Sequence, residues 1–211
     1  GHMDLINSNS FGSGMQNLLI DLATRNPVGL ALIDKRVEFY LEYFRRALEA
    51  AKGKIDIIHV GDDYGTQRGL LISPELWREL IKPRLSEFAR LAHKYGAKLM
   101  LHSCGSTREL IPELIDAGVD ILDTIQTSAA GMEPGGLKAD FGNRMCFHGA
   151  VDVQTFLRQS TEAEIRRGIE SLLDKMARGG GYALAPSHNI QPDTPLANIL
   201  AVYETAAAWR Y

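Results

Sequence analysis

The fold is decided by one stretch, Lys98-Leu-Met-Leu-His102-Ser-Cys104-Gly105-Ser-Thr-Arg108-Glu109. Residues 99–101 form a short apolar run, which predicts a buried parallel strand. A histidine, a cysteine and a glycine follow, and Ser106-x-x-Glu109 then predicts a helix that opens with a capping box. Chemically active side chains therefore lie at the carboxyl end of a strand. Ligands bind at this end in parallel α/β proteins, because the following loop and helix start converge there.

His102 and Cys104 have the spacing of a metal-binding pair. Residues two apart on an extended strand point to the same side, so an imidazole nitrogen and a thiolate can share one Zn²⁺ ion. Two ligands do not make a site, and the pair predicts a third ligand elsewhere in the chain.

The composition is typical of a single globular domain. The chain has 211 residues, 45% of them hydrophobic, and a net charge of −3 without a basic run, which argues against nucleic-acid binding as the main task. No apolar stretch reaches membrane-spanning length, and the two cysteines, Cys104 and Cys146, indicate reduced intracellular thiols. We therefore expect a soluble cytoplasmic protein. Gly1-His2-Met3 resembles a tag-cleavage scar and is excluded from the site.

The first fifty residues are predicted to be helical after an irregular start. Residues 4–14 are rich in Asn, Ser and Gly and lack apolar periodicity, so we expect residues 1–14 to be a scar and flexible lead-in. Helices are predicted over 15–24 and 28–51. The second is amphipathic, and its inward face is predicted to carry Leu32, Val37, Tyr40, Leu41, Phe44 and Leu48.

Strands and helices then alternate strictly. The strands are predicted at residues 55–60, 99–101, 119–125, 145–148 and 182–185, each followed by a helix, which indicates a parallel sheet. Polar residues follow four of these strands: Asp62 and Asp63, His102 and Cys104, His148, and His188. Polar residues that reach one face from many different strands are typical of a (β/α)8 barrel. Five βα units are nevertheless fewer than the eight that a complete barrel has.

Several motifs resemble the uroporphyrinogen decarboxylase superfamily, and most closely its branch related to corrinoid-dependent, zinc-containing methyltransferases. The resemblance covers the chain from about residue 15 to the end, with the motifs in the family's order. The motifs are Gly61-Asp-Asp-Tyr-Gly-Thr-Gln, Leu71-Ile-Ser-Pro-Glu, Lys82-Pro-Arg, His102-Ser-Cys-Gly-Ser, Ala117-Gly-Val-Asp-Ile-Leu, Gly149-Ala-Val-Asp and Ala185-Pro-Ser-His-Asn-Ile-Gln-Pro-Asp-Thr-Pro.

The resemblance implies a partial (β/α)8 barrel, with residues 15–211 forming one domain of about five carboxyl-terminal βα units. The family's first three strands and its arginine-bearing amino-terminal segment have no counterpart in this sequence. The protein is then either a deliberate truncation or a natural fragment. Its exposed sheet edges are expected to be covered by self-association, giving a homo-oligomer, or by an extended amino-terminal segment.

The resemblance also implies a catalytic zinc site. His102 and Cys104 match two ligands of the zinc methyltransferases, and His188 stands where that pattern has a third, cysteine ligand. Three protein ligands would leave one position open for a thiol substrate. The true decarboxylases also have histidine at this position without a metal, so His188 does not separate the two branches. His102 and Cys104 can equally be a hydrogen-bonded histidine and a buried thiol, and His188 can contact substrate only.

Other candidate residues lie on the same predicted face. Asp62 and Asp63 start toward opposite sides of the strand end, so only one is expected to enter the cavity, where it would orient a ligand histidine or protonate substrate. The alternative is that these aspartates form an Asx turn before Gly65 and have a structural role only. The expected substrate contacts are Tyr64, Gln126, His148 and Asp152, whereas Cys146 is predicted to be core, and His59 and His93 structural or surface.

The leading functional hypothesis is zinc-dependent methyl transfer from a methylated corrinoid protein to a thiol-type acceptor. Catalysis is assigned to Asp62, Asp63, His102, Cys104 and His188. One alternative is decarboxylation of uroporphyrinogen in tetrapyrrole synthesis, a reaction that needs arginines to hold several carboxylates. Another is a non-catalytic partial barrel that serves as an assembly unit.

Overall fold

The computed structural model describes residues 3–210, so the assignment of Gly1 and His2 to a scar lies outside the described residues. The strands are β1 (Ile57–Gly61), β2 (Lys98–His102), β3 (Ile121–Ile125), β4 (Cys146–Val151) and β5 (Tyr182–Pro186). The helices are α1 (Asn7–Ser13), α2 (Met15–Thr24), α3 (Pro27–Ala51), α4 (Pro74–Leu80), α5 (Lys82–Lys94), α6 (Ile111–Asp116), α7 (Pro134–Phe141), α8 (Phe156–Gln159), α9 (Glu162–Met176) and α10 (Leu196–Ala208).

The five strands form one parallel sheet in the order β1-β2-β3-β4-β5. This order has no reversal, as expected for consecutive units of a (β/α)8 barrel; a doubly wound sheet would reverse at a switch point. The predicted α/β fold with five βα units is confirmed, and each predicted strand lies within a few residues of its observed position. In the described residues β1 and β5 are the outer strands.

The two faces of the sheet differ in chemistry. One face packs against the helices and is fully apolar, as Leu99, Leu101, Leu122 and Phe147 are completely buried. Residues that alternate with them face the other way, so β1 to β4 place four polar side chains on the opposite face. These side chains are His59, His102, Asp123 and His148.

The amino-terminal segment differs from the prediction. Residues 7–13 form α1, and Met3, Leu5 and Ile6 are buried in the core, so an irregular, flexible lead-in is wrong for this segment. The Met3 carbonyl accepts a hydrogen bond from the Gly61 amide at 2.9 Å, beside the outer edge of β1. A buried carboxylate at residue 62 anchors the segment, and apolar periodicity gives no signal for such a contact.

Two helix starts show where local motifs succeed and fail. The sequence pattern Thr161-x-x-Glu164 predicts a capping box, and this box forms at the start of α9. The predicted box at Ser106 does not form, because its hydroxyl donates to the Ala130 carbonyl at 2.6 Å. The chain instead enters α6 through a 3-10 turn at Arg108–Leu110.

Two burial predictions are also wrong. Leu32 on α3 is 58% exposed, because Ile33 takes the inward position of that turn together with Val37. Cys146 is exposed at the start of β4 and is not a core residue. The predicted helices 15–24 and 28–51 are confirmed. Pro83 predicts a break in the helix that starts at Pro74, and the break falls at Ile81, between α4 and α5. In the described residues no helix has the length and apolar character needed to cross a membrane.

Candidate functional site

The candidate site is built on a row of side chains that lie side by side across three strands. The sheet register pairs His102 of β2 with Asp123 of β3, and Asp123 with His148 of β4. His102 Nδ1 lies 2.7 Å from Asp123 Oδ2, and His148 Nδ1 lies 2.6 Å from Asp123 Oδ1. His59 Nε2 approaches Asp123 Oδ2 at 3.3 Å from β1. One carboxylate therefore holds three imidazoles.

The charges in this row depend on each other. Burial alone raises the pKa of Asp123, but hydrogen bonds from His102, His148 and His59 outweigh burial and hold that pKa below its usual range. Burial lowers the pKa of His102, yet the hydrogen bonds to Asp123 and Cys104 raise it to about 10. In this metal-free arrangement His102 and Asp123 form an ion pair at neutral pH.

A compact group of metal-type donors lies at the other nitrogen of His102. Cys104 Sγ is 3.3 Å from His102 Nε2, and Asp63 Oδ1 is 3.8 Å from the same nitrogen. Donor atoms of Asp63, His102 and Cys104 all lie within 4.8 Å of one another. Asp63 Oδ1 also accepts the Cys104 amide at 2.8 Å, and Asn7 donates to Asp63 Oδ2 at 3.0 Å, so the carboxylate is fixed in place.

A second group of donors shares the same histidine. His59, His102 and Asp123 also have donor atoms within 4.8 Å of one another, on the Nδ1 side of the His102 ring. Histidines that bind metal through one nitrogen generally donate the other N–H to a carboxylate. The arrangement fits a metal on the Cys104 side, with Asp123 behind His102 as its hydrogen-bond acceptor.

His188 is not part of either group. The His188 imidazole is exposed in the loop after β5. The neighbouring Ser187 is buried, and its amide donates a hydrogen bond to the Val151 carbonyl while its hydroxyl accepts one from the Val153 amide. The structure thus brings together His102 and Cys104 of the predicted ligand set, with Asp63 in the third place. His188 borders the cavities on both sides of the pair, and its role as a ligand stays a prediction.

The two adjacent aspartates have separate roles, as the strand geometry predicts. Asp63 faces the donor group, whereas Asp62 is buried and accepts backbone hydrogen bonds from Leu5, Ile6 and Asn7 at 2.9–3.1 Å. Burial raises the pKa of Asp62 to about 8, against the opposing effect of these amides. Asp62 is a structural anchor that faces away from the donor group, and its predicted catalytic role is not supported.

The predicted substrate contacts are divided in the same way. Tyr64 is only 1% exposed and packs edge-on against Trp77, and Asp152 accepts bonds from the backbone of residues 154–156, so both are structural. Gln126 accepts the Gly105 amide at 2.8 Å and, like His148, lines a cavity at the site.

Sequence reasoning missed Asp123 and did not place His59 beside it. Asp123 lies inside the predicted apolar strand 119–125, where a lone buried acid was an available signal for a polar partner across the sheet. His59, predicted to be structural or surface, alternates with the buried residues 58 and 60 and so faces the same side as His102. The carboxylate that holds His102 Nδ1 is that of Asp123, whereas that contact was expected from Asp62 or Asp63.

Two cavities flank the donor group. The first, of about 530 Å³, is called the histidine cavity and is lined by Asp4, His59, Asp63, His102, Asp123 and His148 among others. The second, of about 440 Å³, is called the amide cavity and is lined by Gln67, Cys104, Gln126, Gln154, Arg158 and Gln191 among others. The Asp63–His102–Cys104 group lies between them, so both cavities have access to one centre.

Comparisons with known proteins agree with this architecture. A methylcobamide:CoM methyltransferase (MtaA) of Methanosarcina barkeri is 26% identical over 173 residues, which are 81% of this chain and 46% of that protein. A methylated-thiol–coenzyme M methyltransferase of Methanosarcina mazei is 26% identical over 192 residues, 90% of this chain and 47% of the relative. A uroporphyrinogen decarboxylase of Coxiella burnetii is 22% identical over 176 residues, 82% of this chain and 45% of the relative.

The chain therefore spans about half the length of the curated relatives it matches. Among solved structures, a methyltransferase from Methanosarcina mazei superposes with a TM-score of 0.74 at 20% identity, over 97% of this chain and 56% of that one, which shows a shared fold. The uroporphyrinogen decarboxylase (URO-D) family model matches residues 8–209, beginning inside α1. From helix α1 to the end of α10, the chain belongs to the uroporphyrinogen decarboxylase (URO-D) family.

Proposed function

We propose that this chain carries the zinc centre of a methyltransferase that moves a methyl group from a methylated corrinoid protein to a thiol. The supporting observation is the Asp63–His102–Cys104 group, whose donors lie within 4.8 Å of one another beside two cavities. Relatives at 26% identity that are named as methylcobamide-dependent and thiol methyltransferases support the same reaction class.

The donor set suits zinc. Imidazole nitrogen, thiolate sulfur and carboxylate oxygen are the three ligand types that Zn²⁺ accepts, and three protein ligands with one open position are typical of catalytic sites. A bound zinc would accept the substrate thiol at the open position and lower its pKa, so that a thiolate forms near neutral pH. His188, exposed at the rim, is proposed as a substrate contact or an additional ligand.

The chain's own residues would prepare the centre. Asp123 fixes the His102 ring so that Nε2 faces Cys104. Asp63 fixes the backbone at Cys104, because its carboxylate accepts a hydrogen bond from the Cys104 amide. In the transfer, the thiolate would take the methyl group from the methylated corrinoid, which would keep the bonding electrons, and the thiol proton would leave to solvent.

Decarboxylation of uroporphyrinogen is the second candidate, because a named decarboxylase aligns over 82% of this chain. That reaction requires cationic side chains for several substrate carboxylates. The described residues that line the histidine cavity include no Lys or Arg, and the amide cavity contains Arg158 only. The converging donors of Asp63, His102 and Cys104, which the metal-free decarboxylases do not need, favour methyl transfer. A non-catalytic partial barrel would have no need for the converging donors.

The partners follow from the reaction. A corrinoid protein would dock at the carboxyl ends of the strands, where the donor group lies. Self-association is proposed as the cover for the outer strands, and exposed apolar residues on α3 support it: Val28, Leu32, Phe39 and Tyr43 are each more than 55% exposed. Light scattering should then give at least a dimer mass, and Leu32→Glu with Phe39→Glu should reduce it. A wild-type monomer mass at high concentration would contradict self-association.

Metal titration tests the function. Metal-free protein should bind about one equivalent of Zn²⁺ in competition with a chromophoric chelator, and Cys104→Ser should weaken binding by more than about 100-fold, beyond the usual loss for an outer-shell partner. Cys146→Ser is the matched control, because this thiol is exposed and distant in sequence from the donor group. Equal zinc affinity in the two variants, or no zinc binding in wild type, would exclude the proposed centre.

A further inference from the structure

We propose that the acceptor taken by the histidine cavity is a cationic aminothiol, a thiol whose other end carries a protonated amine. This inference rests on the proposed function, since it assumes a metal at Asp63, His102 and Cys104 to hold the sulfur. It adds the chemical class of the acceptor, which differs from the coenzyme M named for two relatives.

The first observation is the charge of the cavity wall. Three carboxylates line the histidine cavity, those of Asp4, Asp63 and Asp123, and the described lining residues include no Lys or Arg. A bound divalent cation would be balanced by the Cys104 thiolate and the Asp63 carboxylate. Asp4 and Asp123 then remain as negative charges, so the cavity attracts a cation and repels an anionic tail.

The second observation is the direction of the hydrogen bonds. A carboxylate can only accept, so His148 Nδ1, 2.6 Å from Asp123, is the donor of that pair and Asp123 the acceptor. Asp4 is a further acceptor on the wall. An ammonium group has three N–H donors and no acceptor, which complements these groups.

The amide cavity offers a different environment. Its lining is rich in glutamine side chains, and the guanidinium of Arg158 pairs with Asp193, so its charge is already balanced. A neutral part of a substrate suits this cavity. Arg158 is nevertheless the cation that could hold an anionic tail near Cys104, and the experiment includes it for that reason.

Three thiols of equal chain length provide the test: 2-aminoethanethiol, 2-mercaptoethanol and 2-mercaptoethanesulfonate. Each is titrated into Co²⁺-substituted protein at low ionic strength, and the change in thiolate-to-cobalt absorption reports binding directly, without turnover. We expect the aminothiol to bind about tenfold more tightly than the sulfonate, and the preference to shrink with added salt.

Asp4→Asn tests whether the aminothiol preference comes from the cavity wall. The thiols also differ in their intrinsic affinity for cobalt, but these differences are the same in both proteins. They cancel when the aminothiol preference of the variant is divided by that of the wild type. The variant should reduce the aminothiol preference by about threefold. Asp116→Asn, on an exposed side chain at the end of α6, is the matched control and should leave the ratio unchanged.

Two results would overturn the inference while metal binding persists. One is an aminothiol preference that Asp4→Asn does not change. The other is tighter binding of the sulfonate, which Arg158→Gln would then abolish, assigning recognition to the amide cavity. Absence of the cobalt band with every thiol would instead remove the metal centre, and with it both the function and this inference.

Discussion

His102 Nδ1 lies 2.7 Å from Asp123 Oδ2, while the opposite nitrogen of the same ring lies 3.3 Å from Cys104 Sγ. One imidazole therefore joins a buried carboxylate on β3 to the thiol after β2. This relationship fixes the ring orientation of a histidine at the end of an apolar strand, and it leads to specific predictions.

Asp123→Asn should lower the zinc affinity by about 10- to 100-fold, the usual effect of removing an outer-shell carboxylate. Asparagine cannot hold three imidazoles, so His102 would lose its fixed ring orientation. Affinity is measured by chelator competition. The matched control is Asp120→Asn, three residues earlier, where the carboxylate pairs with His93 and Lys98 on another part of the sheet. Equal losses in both variants would show a general effect on β3.

The ion pair of His102 and Asp123 predicts how the free energy of unfolding of the metal-free protein depends on pH. The pKa of His102 is raised from 6.5 to about 10, so the ion pair contributes fully below about pH 6.5 and its contribution is lost as the pH rises through about 10. The pKa of Asp123 is lowered, so the contribution is also lost as the pH falls well below 3.8.

Urea unfolding of metal-free protein should therefore show a decrease in the free energy of unfolding, on the order of 1–3 kcal/mol, between pH 6.5 and pH 10. His102→Gln should remove most of this slope. His93→Gln is the control, because His93 is exposed and pairs with Asp120 far from the row. A slope that persists in His102→Gln would place its origin in other groups.

Asp62→Ala should destabilise the fold by about 2–4 kcal/mol, because it leaves several buried N–H groups without an acceptor. Those groups are the amides of Leu5, Ile6 and Asn7. Chemical denaturation measures the loss, and hydrogen exchange should show that residues 5–7 lose protection first. Asp56→Asn on an exposed residue before β1 is the control. Unchanged protection at residues 5–7 would contradict the anchor role.

The sequence predicted what depends on local pattern. Five βα units, the Thr161 capping box and the His102–Cys104 pair all follow from periodicity, caps and spacing, and all are present. What it missed depends on contacts between distant residues. The register of β2, β3 and β4 puts Asp123 beside two histidines that are 21 and 25 residues away in the chain. Asp62 likewise orders a segment more than 50 residues before it.

The same limit applies to the third ligand of the proposed metal centre. The resemblance to zinc methyltransferases selects His188, whereas the observed donor group contains Asp63, which strand alternation alone leaves undecided between adjacent aspartates. A ligand loss should weaken zinc binding strongly, whereas loss of an exposed rim histidine should change it little. We therefore expect Asp63→Asn to reduce the zinc affinity by more than about 100-fold, and His188→Ala by less than about threefold.

The two variants should also differ in their cobalt spectra. Asp63→Asn would change the absorption of bound Co²⁺ by altering its ligand set, whereas His188→Ala would leave the spectrum of the thiol-free protein unchanged. The opposite order of affinities would mean that the loop after β5 moves inward when metal binds and delivers the imidazole. Asp63 would then act only through its hydrogen bond to the Cys104 amide.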